Sequence, residues 1–187
     1  MKNFKTIVLF IFAFSLPLKA SAAGLFSIAS SDIKAKSRIA DKHVFNGFGC
    51  VGENISPQIK WNNAPKNTKS FAVTVYDPSA PTLSGWWHWA LVNIPASYAE
   101  IPANFGKDNK FKITDDGVLQ IRNDFGAYKF GGPCPPKGDK PHRYVFTVYA
   151  LKVDKLDLQD SATSALASYM INQNTLAKVS FEAYYAR

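Results

Sequence analysis

The sequence predicts a mainly β chain, an antiparallel β-sandwich with a few short peripheral helices, and three observations carry that expectation. Runs rich in β-branched and aromatic residues recur with a two-residue alternation. Eleven prolines and eleven glycines among 187 residues fall mostly between those runs. Their placement suits turns between antiparallel strands better than the regular strand–helix alternation of a parallel sheet. One stretch alone carries a clear helical pattern.

In chain order, residues 26–30 and 119–122 are weaker strand candidates, and four segments are strong ones: 71–76 (FAVTVY), 87–94 (WHWALVNI), 144–151 (YVFTVYAL) and 179–185 (VSFEAYY). Alternation through the tryptophan-rich strand sets Trp86 and His88 on one face and Trp87, Trp89 and Leu91 on the other. Residues 161–171 (SATSALASYMI) predict a helix, with Asp160 or Ser161 as N-cap. Its Ala162, Ala165, Leu166, Tyr169 and Met170 recur at helical spacing, and a second helical turn is expected at 174–178. No internal repeat, low-complexity tract or linker interrupts residues 23–187, which are expected to form a single domain.

The N-terminus predicts where the protein works. Lys2 and Lys5 precede a ten-residue apolar run at 7–16, and Ala20-Ser21-Ala22 then offers a small-x-small cleavage site. That order is a secretory signal peptide, 1–22, with cleavage near Ala22-Ala23 and a periplasmic or secreted product. A retained anchor is the alternative, but the run is shorter than the ~18–20 apolar residues that span a bilayer. Removing Lys2, Lys5 and Lys19 leaves 19 Lys and Arg against 14 Asp and Glu, so the net charge falls from +8 to +5. The lysines are scattered, without the basic stripe of a nucleic-acid binder; the surplus fits a mild preference for anionic partners. Cys50 and Cys134 are an even pair, so an oxidising compartment permits one disulfide. Such a bridge would constrain the unfolded chain by roughly 3–5 kcal/mol. Two buried free thiols are the alternative.

Common catalytic signatures are missing: no G-x-S-x-G, H-E-x-x-H, C-x-x-C or Walker A stretch occurs. Residues 47–52 (GFGCVG) match G-x-G-x-x-G, but Pro57 follows and Ser70 stands where an acid is needed. These are loop glycines. The sequon Asn54-Ile55-Ser56 matters only in a eukaryotic secretory pathway and is followed by Pro57.

The histidines are more informative. His88 sits among Trp86, Trp87 and Trp89, while His142 and Tyr144 share a face at a strand entrance. Asp77 ends a strand and enters a proline-rich turn. Together they suggest an aromatic-walled pocket at strand ends, where imidazole N–H and phenol O–H groups donate to a phosphate or carboxylate. Asp77 would orient a histidine or meet a donor on the ligand. The competing explanation is ordinary core packing, since tryptophans and a lone histidine are often simply buried.

These residues also carry a family resemblance. Tyr76-Asp77-Pro78-Ser79-Ala80-Pro81 resembles the D-P-D-x-P motif of phosphatidylethanolamine-binding proteins, also called Raf kinase inhibitor-like proteins, and Pro141-His142-Arg143-Tyr144 resembles their G-x-H-R motif. The blocks at 47–57, 84–89, 123–126 and 131–139 are similar to the bacterial YbhB/YbcL branch, and the leader fits its exported, YbcL-like subtype.

The resemblance implies the sandwich fold and a small anion pocket lined by Asp77, Trp86, His88, His142 and Tyr144, with Gly132, Pro133 and Pro135 at its rim. Pro78, Pro81 and Arg143 would be structural parts of the motifs. It implies a phosphate-bearing head group or phosphorylated side chain as ligand and a role modulating a kinase or protease. No common catalytic reaction, cofactor or metal is implied, and a homodimer is common in the family. Two departures stand out: Ser79 replaces the second acid of the first motif, and Lys140 replaces the glycine of G-x-H-R. The alternative function is a metal-binding protein or hydrolase using His88, His142 and Asp77 as a two-histidine, one-carboxylate set.

Overall fold

The computed structural model describes residues 24–187; the expected signal peptide and its cleavage point lie outside them. The strands are β1 (Ser27–Ala29), β2 (Asn46–Gly47), β3 (Cys50–Val51), β4 (Ile59–Asn62), β5 (Ser70–Asp77), β6 (Trp86–Pro95), β7 (Glu100–Ile101), β8 (Leu119–Gln120), β9 (His142–Leu151) and β10 (Thr175–Tyr185), and the described residues add one α-helix, α1 (Ser164–Asn174), and a short 3-10 helix at Asp41–His43. A five-stranded antiparallel sheet has the order β10-β9-β5-β6-β8, a three-stranded sheet runs β1-β4-β7, and β2 and β3 form a hairpin.

The alternation in β5 explains why it is the central strand. Phe71, Val73 and Val75 point into the main core, where Ile59, Trp61 and Ile101 of the smaller sheet meet them. Ala72, between them, faces a second cluster beneath α1 with Ala90, Val92, Ala167 and Ile171. Burying each large apolar side chain of this kind contributes about 1.5–3 kcal/mol. The outer face beyond that cluster, around Thr74, Tyr76 and Trp87, is left uncovered by α1.

Two departures from simple alternation shape β6. Val75 pairs with Trp89 but Tyr76 pairs with Trp87, so His88 is an inserted bulge residue. The bulge overturns the expected division of faces. Trp89 packs in the main core against Phe130 and His88 lies edge-on to Tyr144, while Trp87 alone turns outward onto Tyr76. A second register shift surrounds Asn93, at φ 58°, whose amide both donates to Leu156 O (3.1 Å) and accepts from Leu156 N (2.7 Å).

The helix is shifted from its expected place. Thr163 is the N-cap, its hydroxyl accepting from Leu166 N at 3.2 Å. Ser164, Ala167 and Ile171 form the buried face, leaving Leu166 and Tyr169 exposed. The second helical turn expected at 174–178 does not form: Asn174 ends α1, and β10 begins at Thr175 and pairs with β9, because cross-strand hydrogen bonds outweigh a weak local helical preference.

Candidate functional site

Three adjacent strands deliver the site to one end of the sheet. In the order β9-β5-β6, the end of β5 meets the starts of both antiparallel neighbours, so Asp77, Trp86 and His142 converge. Tyr144, two residues into β9, shares the inward face with His142, and the bulge brings His88 to that side. The result is a cavity of ≈ 190 Å³ whose wall includes Asp77, Trp86, His88, His142 and Tyr144.

Asp77 is buried and doubly engaged. Oδ2 lies 2.7 Å from His142 Nδ1 and Oδ1 accepts from Ser79 N at 2.7 Å. With Nδ1 donating to Asp77, His142 offers Nε2 on its other edge, as a donor when the ring carries its second proton. His88 is held differently. Its Nδ1 donates to Gly131 O at 2.6 Å, and burial pushes its pKa down to about 4. The ring is therefore neutral at pH 7, and Nε2 is an acceptor rather than the donor expected from the sequence. Burial raises the Tyr144 pKa, so its phenol stays protonated. Trp86 Nε1 is buried with no hydrogen-bond partner, and no protein acceptor meets the Tyr144 hydroxyl among the described residues.

The rim is built from the segment at 131–136. Gly131 N donates to His88 O, Gly132 N to Asn54 Oδ1 (2.7 Å), and Phe45 N to Pro133 O. A Cβ on Gly132 would lie 1.9 Å from His43 O, so only glycine fits there. Cys50 and Cys134 form a disulfide that ties this rim to β3. Arg187 bridges Pro135 O (2.7 Å) and Phe48 O (3.3 Å).

Pro135 reaches the cavity wall, whereas Gly132 and Pro133 stand behind it, packed on the His43–Phe45 backbone. Pro81 is on the wall, while Pro78 and Arg143 lie on the outer face near Trp87. Phe48 and Phe125 also line the cavity and were not singled out as site residues from sequence. Both sit in the glycine-containing blocks at 47–57 and 123–126, the one signal that could have found them. Asp139 was missed as well: its Oδ2 lies 3.2 Å from His142 Nε2.

The departure at Ser79 has a local answer. Its hydroxyl accepts from Arg143 N at 3.2 Å, and the Arg143 guanidinium pairs instead with Glu182 at 2.7 Å. The metal-ligand alternative finds no matching geometry: among the described residues no three His, Cys, Asp or Glu side chains are placed to share an ion. His142 Nδ1 and Asp77 Oδ2 are instead spent on one another.

Comparison with known proteins agrees with this architecture. The chain is 48% identical to YbcL of Escherichia coli strain K12 over 166 residues, covering 89% of this chain and 90% of that protein. It is 43% identical to YbhB of the same organism, covering 85% and 99%. A crystal structure of Escherichia coli YbcL, described as a member of the mammalian PEBP family, superposes with a TM-score of 0.83 at 48% identity, covering 87% of this chain and 98% of that one. Residues 29–186 match the family described as phosphatidylethanolamine-binding protein, and the chain belongs to that family.

Proposed function

We propose that this protein is a non-catalytic periplasmic receptor for a small phosphate- or carboxylate-type anion, either a free head group or a phosphorylated side chain. The observation that carries the reading is the buried, unpartnered Trp86 Nε1 on a cavity wall shared with His142 and with Tyr144, whose hydroxyl makes no hydrogen bond among the described residues. A buried donor without an acceptor is rare and costs about 1–3 kcal/mol, and an anion bearing several acceptor oxygens satisfies Trp86 Nε1 and accepts from the Tyr144 hydroxyl as well. The neutral His88 Nε2 can accept from a protonated phosphate oxygen or a ligand ammonium. At ≈ 190 Å³ the cavity suits a head group rather than a whole lipid.

Binding without turnover is supported by what surrounds the cavity. Cys134 is committed to its disulfide, and the Thr82 hydroxyl donates to Gly85 O rather than to a histidine, so no activated nucleophile stands there. The leader pattern and the disulfide support an oxidising, exported setting. Modulation of a partner kinase or protease rests on the family alone.

The test is calorimetric titration with phosphate, phosphoethanolamine and acetate, with and without chelator. His142→Ala would strip the buried Asp77 of its partner and confuse binding with folding, so the informative variants are Trp86→Phe and Tyr144→Phe. Each removes one donor and keeps a ring, and each should weaken phosphate binding about tenfold or more. Unaltered affinity in both variants sinks the assignment, and a chelator-sensitive signal would transfer the site to metal chemistry.

A further inference from the structure

Behind Phe125 lies a second cavity, of ≈ 380 Å³, twice the volume of the first and within the usual range for small-molecule sites. Phe125 lines both and is their common wall. Its ring stacks on Phe45 at 4.2 Å on the side of the second cavity and meets Trp86 and His88 edge-on at 5.3 and 5.4 Å.

The floor of this second cavity is rigid because its polar groups are already satisfied. Asn54 donates to Phe130 O (2.9 Å) and accepts from Gly132 N. Asn123 donates to Lys129 O (2.7 Å) and accepts from Ala127 N (3.0 Å). Ser56 donates to Phe105 O at 3.3 Å.

The walls are the opposite. Asn46, Glu53, Asn104, Lys107 and Lys129 line the cavity, the first four exposed to solvent and Lys129 half-buried, and among the described residues none of them makes a side-chain hydrogen bond or ion pair. Five uncommitted polar heads over a committed floor is the pattern of a ligand site, in which a few convergent polar groups fix a small molecule against aromatic faces. Two ammonium groups outweigh one carboxylate, which selects an anion. The two amides and the carboxylate call for hydroxyl groups, and the aromatic lining from Phe45 and Phe105 suits the C–H surface of a sugar.

We infer that this cavity is a second binding site, for a small hydroxylated anion of the sugar-phosphate or sugar-acid class. It does not depend on the function proposed for the first cavity, since no polar side chain is shared between them.

The experiment is nitrogen-edited NMR of the protein titrated with glucose 6-phosphate, glucuronate and uncharged glucose. The side-chain amides of Asn46 and Asn104 report on the second cavity, and the Trp86 indole N–H reports on the first. The Asn46 and Asn104 signals should move saturably with one or both anions and not with glucose; which anion acts distinguishes a phosphate from a carboxylate ligand. In Lys107→Met/Lys129→Met the affinity should fall at least tenfold, with the response of Trp86 to phosphoethanolamine unchanged. The inference is overturned if neither anion moves those amides, if only the Trp86 signal responds, or if the double variant binds as well as the parent.

Discussion

Asp139 Oδ2 lies 3.2 Å from His142 Nε2, so the imidazole that receives Asp77 on one edge meets a second carboxylate on the other. The two acids differ in exposure: the Asp77 side chain is 3% exposed and that of Asp139 is 41% exposed. Asp77 is a fixed part of the wall, whereas Asp139 stands at the solvent side, where it can swing away. An anion arriving at Nε2 must displace it and overcome its charge.

Asp139→Asn should therefore strengthen phosphate binding about tenfold, equivalent to ~1.4 kcal/mol. Calorimetry at low ionic strength reads this most clearly, because a half-exposed charge is screened by salt. Weaker binding in Asp139→Asn would mean that the carboxylate supports the ligand rather than competing with it.

His88 predicts an acid weakness of the fold. Unfolded, the ring has the ordinary value of 6.5; folded, burial holds it to about 4. Between those values the unfolded chain binds a proton that the folded one refuses. Its stabilising contribution is thus complete above pH 6.5 and is lost as the pH falls toward 4, by on the order of 3 kcal/mol. Burial lowers the His43 pKa as well, adding a slope of the same sign. Urea unfolding of the parent and of His88→Gln across this window separates the two: the variant should show the shallower slope, and equal slopes would remove His88 as a source.

The Cys50–Cys134 bridge spans 84 positions, and the loop-entropy treatment gives it about 4.5 kcal/mol of stabilisation. Because Cys134 also lines the first cavity, the bridge fixes a piece of the wall. Cys50→Ala/Cys134→Ala should lower the unfolding free energy by several kcal/mol and weaken phosphate binding in parallel. A stability loss below ~1 kcal/mol would place the rim's rigidity in its hydrogen bonds and in Arg187 instead.

How far the site could be read from sequence differs residue by residue. Asp77, His142 and Tyr144 were legible because strand ends and alternation locate them without any knowledge of partners. Trp86 and His88 were placed together correctly, but Trp89 was assigned to their opposite face. Alternation assumes an unbroken ladder, and the bulge is a property of the β5–β6 pair rather than of either strand's sequence. Asp139 and Phe125 escaped because each lies in a loop, where no periodicity indicates which way a side chain points.

The sequence by itself determined the fold class, the places along the chain of the four long strands and the identity of the groups at their ends, since these follow from local preference and two-residue periodicity. Only the tertiary structure decided that 175–178 belong to β10, that Thr163 caps α1, and that Gly132 sits behind the wall against the His43 carbonyl. It alone also decided that His88 is a neutral acceptor. Each of those outcomes depends on contacts between residues distant in sequence, in which burial and cross-strand hydrogen bonding outweigh the few tenths of a kcal/mol that local propensity supplies.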